Sequence, residues 1–424
     1  MLLSFSVNNF LLFQNEVSVS FKADRQTKFL SSNFVEIDNA PVLKTLGICG
    51  PNNSGKTCFI HAFRFLKECL SGKPQNLVPN LFGKNQKIDL AVEFNNLDGM
   101  GWFSYSFTYD ILLRRFEKEC LKKITFYENG QRHDSVLFSR DVLSGEYVMK
   151  GGEGKSGFLP YISSETTLLE GIEVKEEDDK DIYGWKMALR KLADSITVLD
   201  ISSNIPIEKT IEVLKGGDEM GKSLILSFVK GADLAIEDFS YEKDVEITDS
   251  VGKPIDEAVL RNVPAIDQFH LTTTYRGKKV PSLMFDSTGT KKIESLASYI
   301  MEAIRGKKVL VIDELDNGLY FSLTRAIVAL FNNIANERGQ LLFTTHDVTL
   351  IDTKRLMRKE QIYFTDRVKD SVRFLPLSNW KAADGVREQS DYAKMYMHGD
   401  FSSVPKPEFI FALIESLQEG GADD

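Results

Sequence analysis

Hydrophobic and polar positions change period several times along the chain, and each change marks an element. Leu3, Phe5 and Val7 alternate with polar residues, and Val17, Val19 and Phe21 do the same, which predicts two strands suited to a hairpin. Residues 43–49 (LKTLGIC) form a short apolar run that stops at Gly50. Phe59, Ala62, Phe63, Leu66 and Leu70 then fall at helical spacing, so the order is strand, glycine-bearing loop, helix. Period two returns in Ile88, Leu90, Val92 and Phe94 and again in Phe103, Tyr105, Phe107 and Tyr109, with Asp98-Gly99 between them. That pattern predicts antiparallel sheet as far as Tyr127. The stretch from about 130 to 160 is polar and glycine-rich and reads as loop.

Beyond a charged run at 174–180 (VKEEDDK), which reads as solvated, helical spacing resumes in Trp185, Leu189, Leu192 and Ala193. It continues in Leu224, Leu226, Val229 and Leu234, which predicts an inserted helical subdomain. Strand-like segments come next at 239–246 and 266–274, and apolar runs then alternate with helical ones through residue 365. The expected division is an N-terminal lobe at 1–160, a helical insertion at 161–238, a C-terminal lobe at 239–365 and a tail subdomain at 366–424. Neither a repeat of domain-building length nor a sustained heptad is present.

Composition adds limits. With 42% hydrophobic and 27% charged residues, the 424-residue chain is ordinary for a globular protein with a large core. It carries no apolar run long enough for a bilayer and no signal-peptide pattern at its start, so a cytoplasmic protein without membrane partners is expected. Cys49, Cys58, Cys69 and Cys120 have neither zinc-site spacing nor disulfide density and read as idle thiols. A net charge of -9 excludes a surface that is basic throughout but leaves room for a local basic groove.

The chemistry begins at Gly50-Pro51-Asn52-Asn53-Ser54-Gly55-Lys56-Thr57, which fits G-x-x-x-x-G-K-[ST] between a strand and a helix, the context that motif needs. Glycines let the backbone wrap phosphate oxygens, Lys56 reaches the β- and γ-phosphates, and the Thr57 hydroxyl holds Mg²⁺. ATP and Mg²⁺ are the expected cofactors. Cys58 and His61, just inside the helix, read as packing residues. The apolar strand in KKVLVIDELDNGLY (307–320) ends on Asp313-Glu314. Two acids ending a buried strand are costly without a task, so Asp313 is assigned to Mg²⁺ and Glu314 to orienting or deprotonating the attacking water. The strand at 340–345 (QLLFTT) closes with His346, which from that position can hydrogen-bond the γ-phosphate.

At 286–292 (DSTGTKK), Ser287, Thr288, Gly289 and Thr290 precede another helical pattern. They make either a second anion-binding surface or a plain helix cap.

In the order phosphate loop, S-x-G-T turn, Asp-Glu pair, histidine, these residues resemble the ABC ATPase head of the structural-maintenance-of-chromosomes and OLD (overcoming lysogenization defect) groups. The resemblance implies an α/β fold with a mixed P-loop core sheet, an N-terminal antiparallel β-subdomain and an inserted helical subdomain. It also implies that Ser287, Gly289 and Thr290 of one molecule cover the nucleotide of another, with Asp316 in the D-loop position, so a homodimer or higher homo-oligomer is expected. Over nearly the whole chain the sequence resembles the AbiLi-type proteins of bacterial abortive infection, through LLSFSVNNFLLFQNEVSVSF at the start, ADLAIEDF at 232–239, MRKEQIYF at 357–364 and MYMHGDFSSVP at 395–405. Tyr320 stands where that pattern more usually has histidine, and Gln75 and Gln86 are two unsupported choices for the Q-loop glutamine.

The function implied is a slow ATPase that senses or restrains in anti-phage defence. The segment after His346 is short for a fused TOPRIM nuclease and lacks its spaced acids, so a separate effector nuclease, TOPRIM-type or other, is the expected partner. The alternative is an SMC-like head that binds DNA in repair or chromosome maintenance, for which Arg114, Arg115, Lys118, Lys122 and Lys123 are the basic candidates. A transporter motor shares the core motifs, but the N-terminal strands, helical insert and tail argue against it.

Overall fold

A computed structural model describes residues 1–24, 29–72, 74, 79–80, 82–83, 85–96, 99–150, 157–200, 206–232, 235–242, 266–368, 371–381, 390–401 and 414. The chain opens with β1 (Leu2–Asn8), β2 (Val17–Ser20) and a small hairpin of β3 (Phe34–Ile37) and β4 (Ala40–Leu43). Strand β5 (Thr45–Cys49) and helix α1 (Lys56–Leu70) come next, then β6 (Lys87–Asn96), β7 (Gly101–Asp110), β8 (Arg115–Phe126), β9 (Arg132–Asp141) and β10 (Glu146–Met149). The middle holds α2 (Lys180–Ser195), β11 (Ile196–Asp200), α3 (Glu208–Lys215), α4 (Glu219–Gly231) and β12 (Asp238–Tyr241). After β13 (Leu271–Tyr275) and β14 (Lys278–Pro281) come α5 (Thr288–Arg305), β15 (Val309–Asp313), α6 (Phe321–Asn332) and β16 (Gln340–Thr345). The last elements are β17 (Ile362–Val368), β18 (Ser371–Pro376) and α7 (Tyr392–His398).

Two large sheets organise these elements. One is antiparallel and seven-stranded, in the order β10-β9-β8-β7-β6-β1-β2. The other is the six-stranded core, β11-β15-β16-β5-β17-β18, parallel except where β17 meets β18. Helix α1 lies between them, with Phe59 and Phe63 against Phe5 of β1 at ring separations of 5.4 and 4.0 Å. Strands of the core alternate between faces as period two requires. Val309 and Val311 of β15 join the cluster around α1, while Leu310 and Ile312 join the cluster with α5 and α6. This is the expected α/β class with a mixed core sheet, an antiparallel N-terminal subdomain and helices inserted between core strands.

Three stretches differ from the sequence expectation, and of the strand read at 266–274 only β13 (Leu271–Tyr275) forms, after a 3-10 turn over Ile266–His270. Residues 130–160, read as loop, supply β9 and β10. The first half of β9 is exposed on both faces, so no alternation marks it. Within the insertion, β11 runs straight on from α2 with no breaker between them, and it pairs in parallel with β15 as an edge of the core sheet. Gln75, residues 243–246 of the strand read at 239–246, and parts of the resembling segments at 233–234 and 402–405 lie outside the described residues. All four cysteines are free thiols, and among the described residues no helix is long and apolar enough to cross a membrane.

Candidate nucleotide site

The loop at 50–57 connects β5 to α1 at the carboxyl edge of the core sheet, where the parallel strands β15 and β16 also end. Ligands collect at such edges because strand ends and helix N-termini expose unpaired backbone groups there. Glycine is required twice for space. A Cβ on Gly50 would stand 1.7 Å from the Thr365 hydroxyl, and Gly55 has φ +89° with Phe13 2.7 Å from any added Cβ. Asn53 also takes the left-handed region at φ 59°. Thr365 of β17 donates to the Ser54 hydroxyl at 2.6 Å, and Ser54 donates to the Pro51 carbonyl at 2.7 Å, so the loop is tied to its neighbouring strand. Asn52, Asn53 and Thr57 face solvent.

Lys56 is 6% exposed, and its ammonium donates to the carbonyls of Gly50 and Pro51, both at 2.9 Å. Burial lowers its pKa, and the negative charges of Asp313, Glu314 and Asp316 oppose that shift. The site thus places one buried cation against three carboxylates. A polyanion placed there would offer Lys56 phosphate oxygens in exchange for its carbonyl bonds.

The acid pair is held by a residue that sequence reading missed. Thr344 of β16, fully buried, donates its hydroxyl to Asp313 and accepts the backbone N–H of Glu314 at 2.8 Å. Glu314 has φ 53°, so the strand turns sharply at this residue. Its carboxylate accepts from Asn317 Nδ2 at 2.9 Å. The Asp316 carboxylate accepts the backbone N–H of His346 at 3.2 and 3.3 Å. Burial lowers the His346 pKa, and the charge of Lys56 lowers it further against the pull of Asp316, Glu314 and Asp313. A neutral imidazole keeps one ring nitrogen as donor and the other as acceptor.

Among the described residues, no three His, Cys, Asp or Glu side chains form a ready metal cage. Asp313 and the Thr57 hydroxyl nevertheless suit a hard cation completed by phosphate oxygens. The charge of Asp313 is felt by both Lys56 and Cys58, the two neighbours of Thr57.

The turn at 287–290 starts α5. Ser287 accepts the Thr290 N–H at 3.1 Å, and the two hydroxyls lie 2.8 Å apart, so a helix cap is present. Ser287 and Thr288 face solvent, Gly289 is half-buried and Thr290 is buried behind them. Asp286, below the turn, is buried and accepts from Thr273 at 2.5 Å and Tyr275 at 2.6 Å. Among the described residues no hydrogen bond joins this turn to the loop at 50–57. It packs instead against the acid loop of its own chain, since a Cβ on Gly289 would come within 2.8 Å of the Gly318 carbonyl. Exposed apolar side chains flank it, with Met284 at 63%, Phe285 at 65% and Tyr320 at 67%.

Gln86 precedes β6, where its carbonyl accepts from Ile111, and so belongs to the antiparallel sheet, away from the core strands. The basic candidates are partly neutralised, Lys118 by Asp141 at 2.9 Å and Arg115 by Glu117 at 3.6 Å.

Solved structures similar to the chain include the SMC head domain from Thermotoga maritima, at 11% identity and TM-score 0.40, covering 88% of this chain and 98% of that one. An SmcHead bound to the C-winged helix domain of ScpA is similar at 14% identity and TM-score 0.46, covering 89% and 99%. The Smc head domain of Pyrococcus furiosus with an extended coiled coil, bound to the C-terminal domain of ScpA, is similar at 12% and 0.40, covering 89% and 97%. Likenesses this distant say nothing of the chain's activity. No curated protein matches the sequence. Residues 163–352 match the family model described as "AAA domain, putative AbiEii toxin, Type IV TA system", a stretch that takes in the 287–290 turn, Asp313, Glu314 and His346 and leaves the loop at 50–57 outside it.

Proposed function

We propose that the chain binds ATP with Mg²⁺ at the 50–57 loop and hydrolyses it at sites completed by a second copy of itself. One observation carries the reading: the loop at 50–57 with Lys56, the Asp313-Glu314 pair and His346 follow the carboxyl ends of three adjacent parallel strands, β5, β15 and β16. In this reading backbone N–H groups of 52–57 and the start of α1 hold the α- and β-phosphates, and Lys56 neutralises the β- and γ-phosphates. Thr57 and Asp313 would hold Mg²⁺, which would supply neutralisation of phosphate charge. Glu314, fixed by Asn317, orients the attacking water and accepts its proton, while neutral His346 bonds the γ-phosphate or that water.

The turn at 287–290 supports the need for two copies. It presents the Ser287 side chain to solvent, with half-buried Gly289 beside it and Thr290 bracing it from behind, next to exposed Met284, Phe285 and Tyr320. That surface is suited to covering a partner's γ-phosphate. Asp316 lies in the same acid loop as Gly318, against which the turn packs, and is bonded to His346 of its own chain. The resemblance of the sequence to AbiLi-type proteins is what supports a role in defence, as the sensor of an abortive-infection system whose cutting is done by a separate effector nuclease; the description of the matched family model names a putative toxin of a toxin–antitoxin system and neither a sensor nor an effector. The alternative of a DNA-binding head stands beside this reading, with Arg115 and Lys118 of its five basic candidates paired to Glu117 and Asp141.

Glu314→Gln tests the composite site. Size-exclusion chromatography with light scattering in ATP and Mg²⁺ should show a dimer or larger assembly that Glu314→Gln/Lys56→Ala does not form. A Glu314→Gln protein that binds ATP yet stays monomeric removes the two-copy reading, and a Lys56→Ala protein with unchanged ATP affinity removes the site.

A further inference from the structure

The entry to the 287–290 turn is held by a group of buried polar side chains that the nucleotide reading does not use. Asp286, the residue before Ser287, accepts from Thr273 at 2.5 Å and from Tyr275 at 2.6 Å, both on β13. Its backbone N–H donates to the Ser282 carbonyl at 2.9 Å. The Ser282 hydroxyl donates at 2.7 Å to Glu294, which lies on α5 one helical turn beyond Thr290. Thr210 of α3 fixes the main chain at that point, its hydroxyl donating to the Glu294 carbonyl at 3.0 Å.

Glu294 is 1% exposed. An ionised glutamate there is short of donors, since Ser282 serves one oxygen and the other, Oε1, receives none from the described residues. The Glu294 side chain meets the Asp286 side chain in a hydrogen bond. Two carboxylates have no hydrogen to share, so that bond forms only when one of the pair is protonated. Both Asp286 oxygens already accept from hydroxyls, whereas Glu294 has a single hydroxyl donor, so the proton sits on Glu294. Burial accordingly raises its pKa to about 9. Of the titratable groups around the pair, Tyr275 is kept a donor by burial and by its bond to Asp286, which raise its pKa. Lys291 of α5 donates to the Leu283 carbonyl at 2.7 Å, and its charge works against the shift of Glu294 without reversing it. The contacts from the Ser282–Phe285 turn and from α3 are the uncharged Ser282 and Thr210.

We infer that Glu294, holding a proton in a bond to Asp286, is a positioning residue for the Ser287–Thr290 turn at the two-copy site. The inference rests on the two-copy reading above and adds to it a proton on which the fit of the turn depends. With the proton in place, α5, β13 and the residue before Ser287 are tied together. Its loss sets two negative charges against each other in a buried space, and relief comes by displacing Asp286 and Ser287 with it.

The experiment uses the full chain with ATP and Mg²⁺. It compares wild type with Glu294→Gln, whose amide donates to Asp286 at every pH, and with Glu294→Leu, which cannot donate. ATP affinity should agree within about twofold in all three, because the 50–57 loop is untouched. Wild-type turnover should fall as pH rises through about 9, whereas Glu294→Gln should match wild type within about twofold at about pH 7 and lack that fall. Glu294→Leu should lose about tenfold in turnover at about pH 7. The infrared difference between wild type and Glu294→Gln, taken without nucleotide, should carry the carbonyl band of a protonated carboxyl at about pH 7 and lose it above about pH 9. The same alkaline fall in Glu294→Gln, wild-type turnover in Glu294→Leu, or absence of the band overturns the inference and leaves the two-copy reading standing. A wild-type chain that shows the band but neither binds ATP nor assembles in it overturns the two-copy reading, and the positioning role falls with it.

Discussion

Thr344→Val is the most informative single change at the acid pair, because one hydroxyl serves both residues to which the proposed mechanism gives the metal and the attacking water. Valine keeps the shape and removes the donor to Asp313 together with the acceptor of the Glu314 N–H. Thr344 is fully buried, so water does not replace either bond without a rearrangement. An orphaned buried N–H costs about 1–3 kcal/mol, and a lost bond to a charged group about 1.5–3 kcal/mol. Since both bonds share one oxygen, a combined cost of about 3 kcal/mol is the working figure. Spent wholly on the placement of Glu314, that is about a hundredfold in rate, and part of it will emerge as lower global stability. The expected result is ATP affinity near wild type, single-turnover hydrolysis down about tenfold to a hundredfold, and recovery in Thr344→Ser, which keeps the hydroxyl. Wild-type turnover in Thr344→Val, or equal loss in the serine variant, refutes the role given to this bond.

Two further outcomes concern the frame around the site. Burial pushes the Glu294 carboxyl up to about 9, and Ser282 donates to it at 2.7 Å beneath the 287–290 turn. A raised folded-state value means the native protein holds a proton that the unfolded chain releases above the ordinary glutamate range, so stability falls as pH rises through that window to about 9. Urea midpoints should therefore decline less between about pH 6 and about pH 9 in Glu294→Gln than in wild type, and parallel declines would count against a neutral Glu294. Arg140 is fully buried against Glu119 and also donates to the carbonyls of Ser163 at 3.0 Å and Thr166 at 2.8 Å. Arg140→Met leaves that carboxylate without its cation and should cost about 3–5 kcal/mol in denaturant unfolding, whereas a loss below about 1 kcal/mol would show that the pair contributes little.

Legibility in the sequence tracked how local each geometry is. The 50–57 loop was legible because its glycines, lysine and threonine are consecutive. Asp313 and Glu314 were legible because charge at the end of an apolar run is costly wherever the run packs. Thr344 sits inside an apolar strand, and its hydroxyl has meaning only once β16 lies beside β15. Strand β11 continues from a helix without punctuation, and its partner is set by register across the sheet. Pairing across strands that are far apart in sequence is what periodicity leaves unspecified.

Lys292 is hidden for the same reason, since in the sequence it is only one of two lysines after the S-x-G-T turn. It is 4% exposed, and its ammonium donates to the Asn317 carbonyl at 2.6 Å and to the Asn317 side-chain oxygen at 3.2 Å. Asn317 in turn donates to Glu314, while Gly289 presses on the Gly318 carbonyl. A buried cation with these acceptors costs desolvation energy unless every bond is kept, so turn and acid loop move together or break several contacts at once. In the proposed two-copy assembly the turn would meet the partner's nucleotide, and this chain of bonds would join that meeting point to Glu314, the carboxylate proposed to orient water in the turn's own chain. Two sites so wired would share one mechanical state, the property required of the proposed switch that reports when both nucleotides are bound.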